Sequence, residues 1–362
     1  MNYEPLFIKT YQDKKVFLTG HTGFKGSWLL TWLHSLGAIV KGLALAPENK
    51  TDLYNSIQGD RLCESVICDI RNRERLLQEV KAFEPDFIFH LAAQPLVRLS
   101  YEIPVDTFEV NVIGTANLLE SVRMLRNKCC VINITTDKVY HNNEWVYPYR
   151  ETDPLGGYDP YSASKAAMEL IVASYRNSFF NADQYATHLK SIATARAGNV
   201  IGGGDWAKDR IIPDVIRAIE NNKPVQIRNP HSVRPWQHVI EPLSGYLLLG
   251  ARMNDQPVKF SGAFNFGPHI GDTIEVLELA QLAIQSMGKG SLSEESNTDG
   301  RHEAQLLKLD INKAFTELGW KPKFTARVAI EKTIRWYKKY LDNPDSALQM
   351  LQNDIKLYST HA

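Results

Sequence analysis

Short apolar runs and longer amphipathic stretches alternate through the first half of the chain. The apolar runs lack the regular polar alternation of half-exposed strands, so they predict buried strands at residues 16–19, 39–44, 65–68, 87–91, 131–135 and 191–196. Helices are predicted between them at residues 27–36, 71–81, 107–126 and 163–180. Buried strands joined by helical crossovers predict the α/β class, with a Rossmann-type doubly wound parallel sheet.

Turn-forming residues become more frequent after about residue 200. Residues 288–300 are predicted to be a loop, and residues 325–340 the final amphipathic helix. We therefore predict a Rossmann domain of residues 1–198 with about 237–268, and a smaller mixed α/β C-terminal substrate domain of residues 199–236 and 269–362. The smaller domain should cap the carboxyl ends of the strands, where ligands of doubly wound sheets bind.

Composition and charge exclude some classes of function. The 362 residues contain 41 Lys and Arg against 41 Asp and Glu, so no basic excess indicates a nucleic acid or an anionic membrane as partner. The four cysteines form no CxxC pair, which argues against a metal site and against a disulfide framework. Reduced cysteines, the absence of a signal-like N-terminus and the absence of a long apolar run predict a cytoplasmic protein without membrane spans.

The first candidate site is the turn that follows the first predicted strand. Gly20, Gly23 and Gly26 are spaced GxxGxxG between that strand and an apolar helix. Glycines let the backbone approach a pyrophosphate, and the helix N-terminus directs N–H groups at it. A tight turn without a ligand is the alternative. Residues 42–47, at the end of the second strand, provide neither an acid for a ribose hydroxyl nor an Arg for a phosphate, so NAD and NADP both stay open there.

The second candidate is a pair of residues at the start of an apolar helix. Tyr161 and Lys165 are four residues apart and should share one helix face. An ammonium beside a phenol lowers the phenol pKa from about 10, which would let Tyr161 accept a proton from a hydroxyl. The alternative is an ordinary helix pair whose lysine faces solvent.

Polar and small residues follow three further strands. Asp69, with Ile70 after it, is able to accept a hydrogen bond from an adenine amine, although a surface helix cap is the alternative. Small residues after the fourth strand would let the backbone lie close to a flat cofactor. Asn111 and Thr115 lie one helical turn apart and should orient groups near the catalytic strand. The fifth strand ends in two threonines, an acid and an amine, where chemistry is expected; Asp137 as the cap of a turn is the alternative there.

These motifs, in this order, resemble the sugar-nucleotide 4,6-dehydratases of the extended short-chain dehydrogenase/reductases. The matching segments span nearly the whole chain: residues 19–26 (TGHTGFKG), 90–93 (HLAA), 136–140 (TDKVY), Tyr161-x-x-x-Lys165, 234–236 (RPW), 301–303 (RHE) and 318–322 (LGWKP). Relatives that act on dTDP- and GDP-sugars have Glu where this chain has Lys138. Lys at this position is similar to the branch that acts on CDP-glucose.

The resemblance implies an NAD-dependent lyase that converts CDP-glucose to a 4-keto-6-deoxy sugar and water. Tyr161 would take the proton of the 4-hydroxyl while Thr136 hydrogen-bonds the 4-oxygen, and Asp137 would protonate the departing 6-hydroxyl. Lys138 would be the base for the C5 proton, which requires a neutral amine whose pKa is lowered by burial or neighbouring cations. Alternatively Lys138 stays charged and stabilises the enolate.

The resemblance also implies the ligand contacts. The NAD-binding candidates are Gly20, Gly23, Phe24, Lys25, Gly26, Asp69, Ile70, Leu91, Ala92, Ala93, Asn111, Thr135, Tyr161 and Lys165. The substrate-binding candidates are Gln94, Arg98, Asn199, Arg210, Arg228, Arg234 and Arg301. Arg234 and Arg301 match positions that contact the diphosphate in relatives, and a solvated surface charge is the alternative for each arginine.

The resemblance further implies a homodimer or homotetramer that pairs through residues 107–126 and 163–180, and a place in deoxysugar biosynthesis for the O-antigen of lipopolysaccharide. Other readings stay open: a different nucleotide-sugar 4,6-dehydratase, an epimerase or decarboxylase of the same fold, or a non-catalytic NAD-binding protein.

Overall fold

Thirteen strands are present in the computed structural model, which describes residues 2–227, 229–294 and 306–360. They are β1 Lys15–Thr19, β2 Ile39–Ala44, β3 Glu64–Ile67, β4 Phe87–His90, β5 Cys129–Thr135, β6 Lys190–Ala197, β7 Val200–Ile201, β8 Val225–Ile227, β9 Val233–Arg234, β10 Gln237–His238, β11 Ala263–Phe266, β12 Ile274–Glu275 and β13 Leu292–Glu294. Seven of them form the central sheet in the order β11-β6-β5-β4-β1-β2-β3, and every pair in it is parallel.

Helices cover both faces of this sheet and form much of the remaining structure. They are α1 Glu4–Tyr11, α2 Phe24–Ser35, α3 Leu53–Ser56, α4 Arg73–Phe83, α5 Val97–Glu102, α6 Pro104–Phe108, α7 Gly114–Arg123, α8 Pro160–Ser178, α9 Tyr185–His188, α10 Ile211–Glu220, α11 Ile240–Asp255, α12 Val276–Met287, α13 Ala326–Asp342 and α14 Ala347–Thr360. Among the described residues, no helix is long and apolar enough to cross a membrane.

The predicted doubly wound sheet is confirmed, because β1 to β6 fall on the six predicted apolar runs and differ from them by a few residues at most. Strands β4, β5 and β6 are buried along their whole length. The seventh strand, β11, pairs with β6 and lies within the segment 237–268 that the sequence assigned to the Rossmann domain. Buried strands with helices on both faces explain why the apolar runs do not alternate with polar residues.

Three predicted elements differ from the structure. The helix predicted at residues 107–126 is divided into α6, a π-helical turn Glu109–Ile113 and α7. The predicted loop 288–300 contains β13, which pairs with β8, and its residues 295–300 lie outside the described residues. The helix predicted to be final is followed by α14, whose buried face packs against α2. Each difference depends on a tertiary contact that local sequence does not encode.

Glu241 connects α11 to the C-terminal helix and to the segment before α13. Its Oε1 accepts hydrogen bonds from the backbone N–H groups of Lys323 (2.8 Å) and Phe324 (2.7 Å), and its Oε2 accepts from the Tyr358 hydroxyl (2.6 Å). The carboxyl is fully buried, and burial raises its pKa to about 7 although these hydrogen bonds lower it. Folding therefore keeps a proton on Glu241 at pH values where the unfolded chain releases it.

We expect the folded protein to lose stability as the pH rises from about 4.5 towards about 7. In this window the folded state binds more protons than the unfolded state, so the free energy of unfolding decreases, by up to about 3 kcal/mol. Glu241→Gln should remove this part of the pH dependence, measured as urea midpoints at several pH values. Glu317→Gln, at an exposed site, should keep the wild-type slope. An unchanged slope in Glu241→Gln would contradict the assignment.

Candidate active site

The carboxyl ends of β1, β4 and β5 meet at one edge of the sheet, and the start of α8 lies against them. The glycine turn follows β1, residues 91–93 follow β4, and the polar segment 135–138 ends β5. Parallel strands bring these segments together although up to 118 positions separate them in the sequence. This edge is where ligands of doubly wound sheets bind.

The glycine turn has the tight backbone contacts that a pyrophosphate site requires. Gly20 has φ of +75°, and a Cβ there would lie 2.7 Å from the Ala92 nitrogen. A Cβ on Gly26 would lie 2.0 Å from the Gly20 oxygen, so neither position accepts a side chain without a backbone shift. Gly23 is the N-cap of α2, and no side chain caps this helix end among the described residues. The turn therefore fits the diphosphate of a dinucleotide.

The end of β2 is occupied by a histidine from the same turn. The His21 ring lies over Gly42, where a Cβ would come within 2.4 Å of it, and its Nε2 is 2.8 Å from the Ser65 Oγ. Burial lowers the pKa of His21 to about 4, so the ring is neutral at physiological pH. This packing explains the glycine in the second strand, and it leaves the choice between NAD and NADP open at this position.

The residues proposed to surround the adenine and nicotinamide differ in how many of their polar atoms already form hydrogen bonds within the protein. The Asp69 carboxylate is bound by Arg71, with N–O distances of 2.8–3.2 Å, and this hydrogen bonding lowers its pKa. Asn111 accepts from the Gln94 N–H (2.9 Å) and donates to the Ser164 Oγ (2.8 Å). These bonds join the end of β4 to α8, and the predicted role of Asn111 in orienting groups near the catalytic strand stays a prediction. Ile70 is buried, and its contact with a cofactor stays a prediction.

Tyr161 and Lys165 both lie in the first part of α8 and are buried, at 8% and 4% exposure. Burial raises the pKa of Tyr161 to about 12, while Thr136 and the charge of Arg210 lower it and Asp137 raises it. The expectation that Lys165 lowers this pKa is therefore wrong for the protein by itself. The Lys165 amine instead donates to the Ile134 carbonyl at 3.2 Å, and burial lowers its own pKa to about 8.

Asp137 is almost fully buried at the end of β5, with 1% exposure. Its Oδ1 accepts a 2.8 Å hydrogen bond from the Thr136 hydroxyl. Thr136 is also the N-cap of the short helical turn Asp137–Val139, accepting from the Lys138 N–H at 3.4 Å, so the capping role considered for Asp137 belongs to its neighbour. Gly198 provides the space for the carboxylate, because a Cβ there would lie 2.0 Å from Asp137 Oδ2.

Lys138 lies beside this carboxylate and reaches towards solvent. Its Nζ is 4.0 Å from Asp137 Oδ1, and its side chain is 30% exposed. The structure therefore gives Lys138 a carboxyl neighbour and partial contact with solvent. Its role as base or as charged stabiliser stays a prediction.

Lys25 provides a second amine beside the proposed catalytic residues. Nothing in the sequence indicated that its charge would matter. Burial lowers the pKa of Lys25 to about 7, with Arg210 and Lys165 lowering it further and Asp137 and Asp205 raising it. Arg210 forms an ion pair with Asp205 at 2.8 Å. Lys25 lies in the first turn of α2, between Gly23 and Gly26. Its position between two motif glycines was the only sequence feature that pointed to it. Of these groups, Asp137 also raises the pKa of Tyr161 and Arg210 lowers it.

The remaining substrate-binding candidates differ in what the structure shows of them. The Gln94 amide is engaged internally, donating to Leu96 O and Thr107 Oγ1 and accepting from the Leu96 N–H, which leaves it little capacity for a ligand. Arg98 lies 3.8 Å from Asp209. Four predicted contacts are not tested by these distances: Asn199 and Arg234 are partly buried, while Arg228 and Arg301 lie outside the described residues.

A buried ion pair holds α8, the helix that carries Tyr161 and Lys165, against β6, and no sequence pattern indicated it. Glu169 is four residues after Lys165, and its carboxylate accepts from Arg196 Nε (2.8 Å) and Nη2 (2.9 Å). Thr135 donates to the same carboxylate at 2.6 Å and Thr194 at 2.8 Å. The Thr135 hydroxyl, proposed as a cofactor contact, is therefore occupied. Although burial raises it, the pKa of Glu169 is held below its usual range by Arg196 and these hydrogen bonds.

This fold and this edge define a class of protein, the NAD-type Rossmann enzymes with a Tyr-x-x-x-Lys helix. A family model described as GDP-mannose 4,6 dehydratase matches residues 17–333, and the chain belongs to that family. It is 49% identical over 335 residues to the CDP-glucose 4,6-dehydratase of Salmonella typhimurium, covering 92% of this chain and 93% of that protein. It is 28% identical to the CDP-paratose 2-epimerase of Salmonella typhi, covering 89% of this chain and 98% of that protein.

Solved structures share the fold at lower identity. An epimerase from Methanothermobacter thermautotrophicus superposes with a TM-score of 0.79 at 24% identity, covering 94% of this chain and 96% of that one. The dTDP-glucose 4,6-dehydratase of Bacillus anthracis, solved in complex with NAD, gives a TM-score of 0.74 at 22% identity, covering 91% of this chain and 98% of that one. Both therefore have the same arrangement of strands and helices as this chain.

Replacing Glu169 should destabilise the protein strongly. Glu169→Ala leaves the Arg196 guanidinium buried without its anion, which costs about 3–5 kcal/mol in the free energy of unfolding. The matched control is Glu278→Ala, which removes one partner of the exposed pair with Arg327 and should cost less than about 1 kcal/mol. Urea unfolding followed by circular dichroism measures both. Similar small losses in the two variants would contradict a structural role for the buried pair.

Proposed function

We propose that this protein is an NAD-dependent lyase that converts CDP-glucose to CDP-4-dehydro-6-deoxyglucose and water. The observation that carries the proposal is the buried Asp137, hydrogen-bonded to Thr136 at 2.8 Å, at the strand end beside the buried Tyr161 and Lys165. An acid in this position has no role in a simple epimerisation, whereas loss of a hydroxyl requires a proton donor. The 49% identity to a CDP-glucose 4,6-dehydratase supports the same substrate.

The residues that would hold the cofactor are those whose backbone already makes the close contacts. Gly20, Gly23 and Gly26 would bind the pyrophosphate, Asp69 the adenine, and the small residues after β4 would line the nicotinamide side. NAD bound there would supply a positive charge and the hydride-transfer chemistry that the reaction requires. Although this fold also uses NADP, the resemblance favours NAD.

Proton transfer is the task of the chain's own residues. Tyr161 would take the proton of the 4-hydroxyl, with Thr136 hydrogen-bonded to the 4-oxygen. Because burial raises the Tyr161 pKa to about 12, the phenol needs an added positive charge nearby to act at neutral pH. A ketone at C4 makes the C5 proton acidic, and Asp137 then gives its proton to the departing 6-hydroxyl.

The labelling pattern of the product tests this sequence of steps. CDP-glucose deuterated at C4 should give a 4-keto-6-deoxy product that carries the deuterium at C6, and a reaction in heavy water should introduce solvent deuterium at C5. Mass spectrometry and NMR of the product measure both. The same assay with dTDP-, GDP- and UDP-sugars should give much slower turnover. A product epimerised at C4 with its 6-hydroxyl retained, or faster turnover of dTDP-glucose, would overturn the assignment.

The role of Lys138 is separable from the oxidation that precedes it. If Lys138 is the C5 base, Lys138→Ala should still oxidise C4, seen as nicotinamide absorbance, while 6-deoxy product falls by about 10²–10⁴-fold. Lys138→Glu should then restore part of the elimination, since a carboxylate occupies this position in relatives. Tyr161→Phe is the control and should block the earlier oxidation. Elimination at the wild-type rate in Lys138→Ala would leave an electrostatic or structural role for the amine.

We further propose that the chain forms a homodimer through the face made by α6, α7 and α8. Apolar side chains are exposed along these neighbouring helices: Val105 at 69%, Phe108 at 39%, Ile113 at 52% and Leu170 at 61%. Large apolar side chains exposed on neighbouring helices favour an interface, and a two-fold axis would let a second copy cover them. A homotetramer would be a pair of such dimers.

Substitution of one apolar residue on this face should change the oligomeric state. Leu170→Glu places a charge at the centre of the proposed contact, so sedimentation velocity should report monomers. Leu357→Glu, at an exposed site on α14, should leave the wild-type state unchanged. A wild-type protein that sediments as a monomer would contradict the proposal.

The broader assignments are proposals too. We propose a cytoplasmic enzyme of deoxysugar biosynthesis, whose product would serve the O-antigen of lipopolysaccharide. The division into a Rossmann domain of residues 1–198 with 237–268 and a substrate domain of residues 199–236 and 269–362 likewise remains a proposal.

A further inference from the structure

Two buried oxygens at the catalytic edge share one cavity. Asp137 Oδ2 and Gln237 Oε1 are both inaccessible to solvent, and neither has a hydrogen-bond partner in the described part of the chain. Both residues line the same cavity, whose volume is about 10 Å³. An unpaired buried polar atom costs about 1–3 kcal/mol, so two at one cavity indicate a hydrogen-bonding molecule between them.

Chemistry fixes the orientation of the Gln237 amide. Its Nε2 donates to the Gly198 carbonyl at 3.0 Å and to the Phe266 carbonyl at 3.1 Å. Carbonyl oxygens only accept, so the NH₂ group must face them and the alternative flip of the amide is excluded. Both donors are therefore used, and Oε1 is left as an acceptor. Gln237 is 2% exposed and lies in β10, paired with β7, which holds its backbone in place.

The Asp137 carboxylate, like the Gln237 amide, has one oxygen at the cavity without a partner in the described part of the chain. Its Oδ1 receives the Thr136 hydrogen bond at 2.8 Å, and its Oδ2 lies against Gly198 so closely that a Cβ there would be 2.0 Å away. The two oxygens thus have different surroundings. Oδ1 is bonded to Thr136, whereas Oδ2 has no partner in the described part of the chain. Both oxygens lie beside Gly198, whose carbonyl accepts from Gln237.

The cavity has the size and the polarity for one water molecule. A volume of about 10 Å³ is about what a single water requires, provided that two or more polar groups hold it. A water donates both of its protons to Asp137 Oδ2 and Gln237 Oε1 when the acid is ionised. When Oδ2 carries a proton, the same water accepts from it and still donates to Gln237. Lys308 and the exposed His269 also line the cavity and connect it towards the surface.

We propose that Gln237 is a positioning residue for Asp137, acting through one cavity water that also returns a proton to Oδ2 after each elimination. The inference rests on the proposed dehydratase function. In the elimination the C6–O bond breaks and the hydroxyl leaves as water with the Asp137 proton, which produces the carboxylate. The cavity water then gives a proton to Oδ2 and takes one from solvent on the His269 side.

The proton balance closes over one turnover. Asp137 gives one proton to the departing hydroxyl and regains one from solvent through the cavity water. Tyr161 takes one proton from the 4-hydroxyl and releases it to solvent. The C5 proton is removed and later replaced at the same carbon. No electrons move through the cavity, so the relay requires no oxidant or reductant.

A high-resolution crystal structure of the protein without substrate tests the water directly. We expect a density peak within hydrogen-bonding distance of both Asp137 Oδ2 and Gln237 Oε1, and its loss in Gln237→Met, which has similar length but no polar atoms. A cavity filled by a side chain, or without such a peak, would overturn the proposal. This measurement requires no activity, so it is independent of whether CDP-glucose is the substrate.

Single-turnover kinetics test the positioning role. Gln237→Met should oxidise C4 at nearly the wild-type rate, followed by nicotinamide absorbance, while elimination slows by about tenfold or more. Gln237→Asn retains both amide donors and an acceptor oxygen on a side chain one methylene shorter, and it should recover part of the elimination rate. Gln256→Met, at an exposed helix end, is the control and should leave both steps unchanged.

The outcomes distinguish this inference from the proposed function. If Gln237→Met slows oxidation and elimination equally, the residue has a structural role and the positioning role is overturned. If the wild-type protein converts no CDP-glucose although the water is present, the proposed function fails while the water site remains. A normal oxidation step with a slowed elimination, partly restored in Gln237→Asn, supports both.

Discussion

The buried pair of Glu169 and Arg196 is the interaction on which the geometry of the site depends. Glu169 belongs to the same helix as Tyr161 and Lys165, and Arg196 is in β6, so their N–O contact of 2.8 Å fixes the catalytic helix against the sheet. Thr135 joins the same carboxylate from β5. Since an unpaired charge in this position would be costly, the helix has little freedom to rotate or slide.

Close backbone contacts act together with this ion pair at the sheet edge. Gly20 and Gly26 allow the β1 turn to touch the end of β4 and itself, and Gly198 leaves room for the Asp137 carboxylate. A methyl group at any of these positions would overlap atoms 2.0–2.7 Å away. These glycines are therefore required by packing, and Gly20 and Gly26 would also suit a phosphate ligand. The close contacts by themselves do not distinguish these two reasons for a glycine.

Burial gives the site its acid–base character. It raises the pKa of Tyr161 to about 12 and lowers those of Lys165 and Lys25 to about 8 and about 7. Each shift favours the neutral form, as expected where charges are poorly hydrated. Added charge from a bound ligand therefore has a large effect on every one of these groups. A site that responds in this way suits a reaction in which charge appears and disappears at successive steps.

The sequence by itself determined the central sheet and the glycine turn, and it placed the proposed catalytic residues at the β5 end and on α8. Apolar runs and glycine spacing depend on local geometry, which one segment encodes. Sequence singled out Asn111, whereas its hydrogen bonds to Gln94 and Ser164 became visible only in the structure. It did not determine α14, the division of the 107–126 segment or the direction of the Lys165 amine, since each depends on a distant partner.

Only the tertiary structure decided which polar atoms meet. Glu169 and Arg196 are 27 positions apart, and Asp137 and Gln237 are 100 positions apart, so no spacing rule connects them. The Tyr161 pKa was predicted in the wrong direction because helix spacing gives proximity and says nothing of burial. Hydrogen bonding, desolvation and cavity shape arise from the assembled chain, and these are the quantities that set the chemistry of the site.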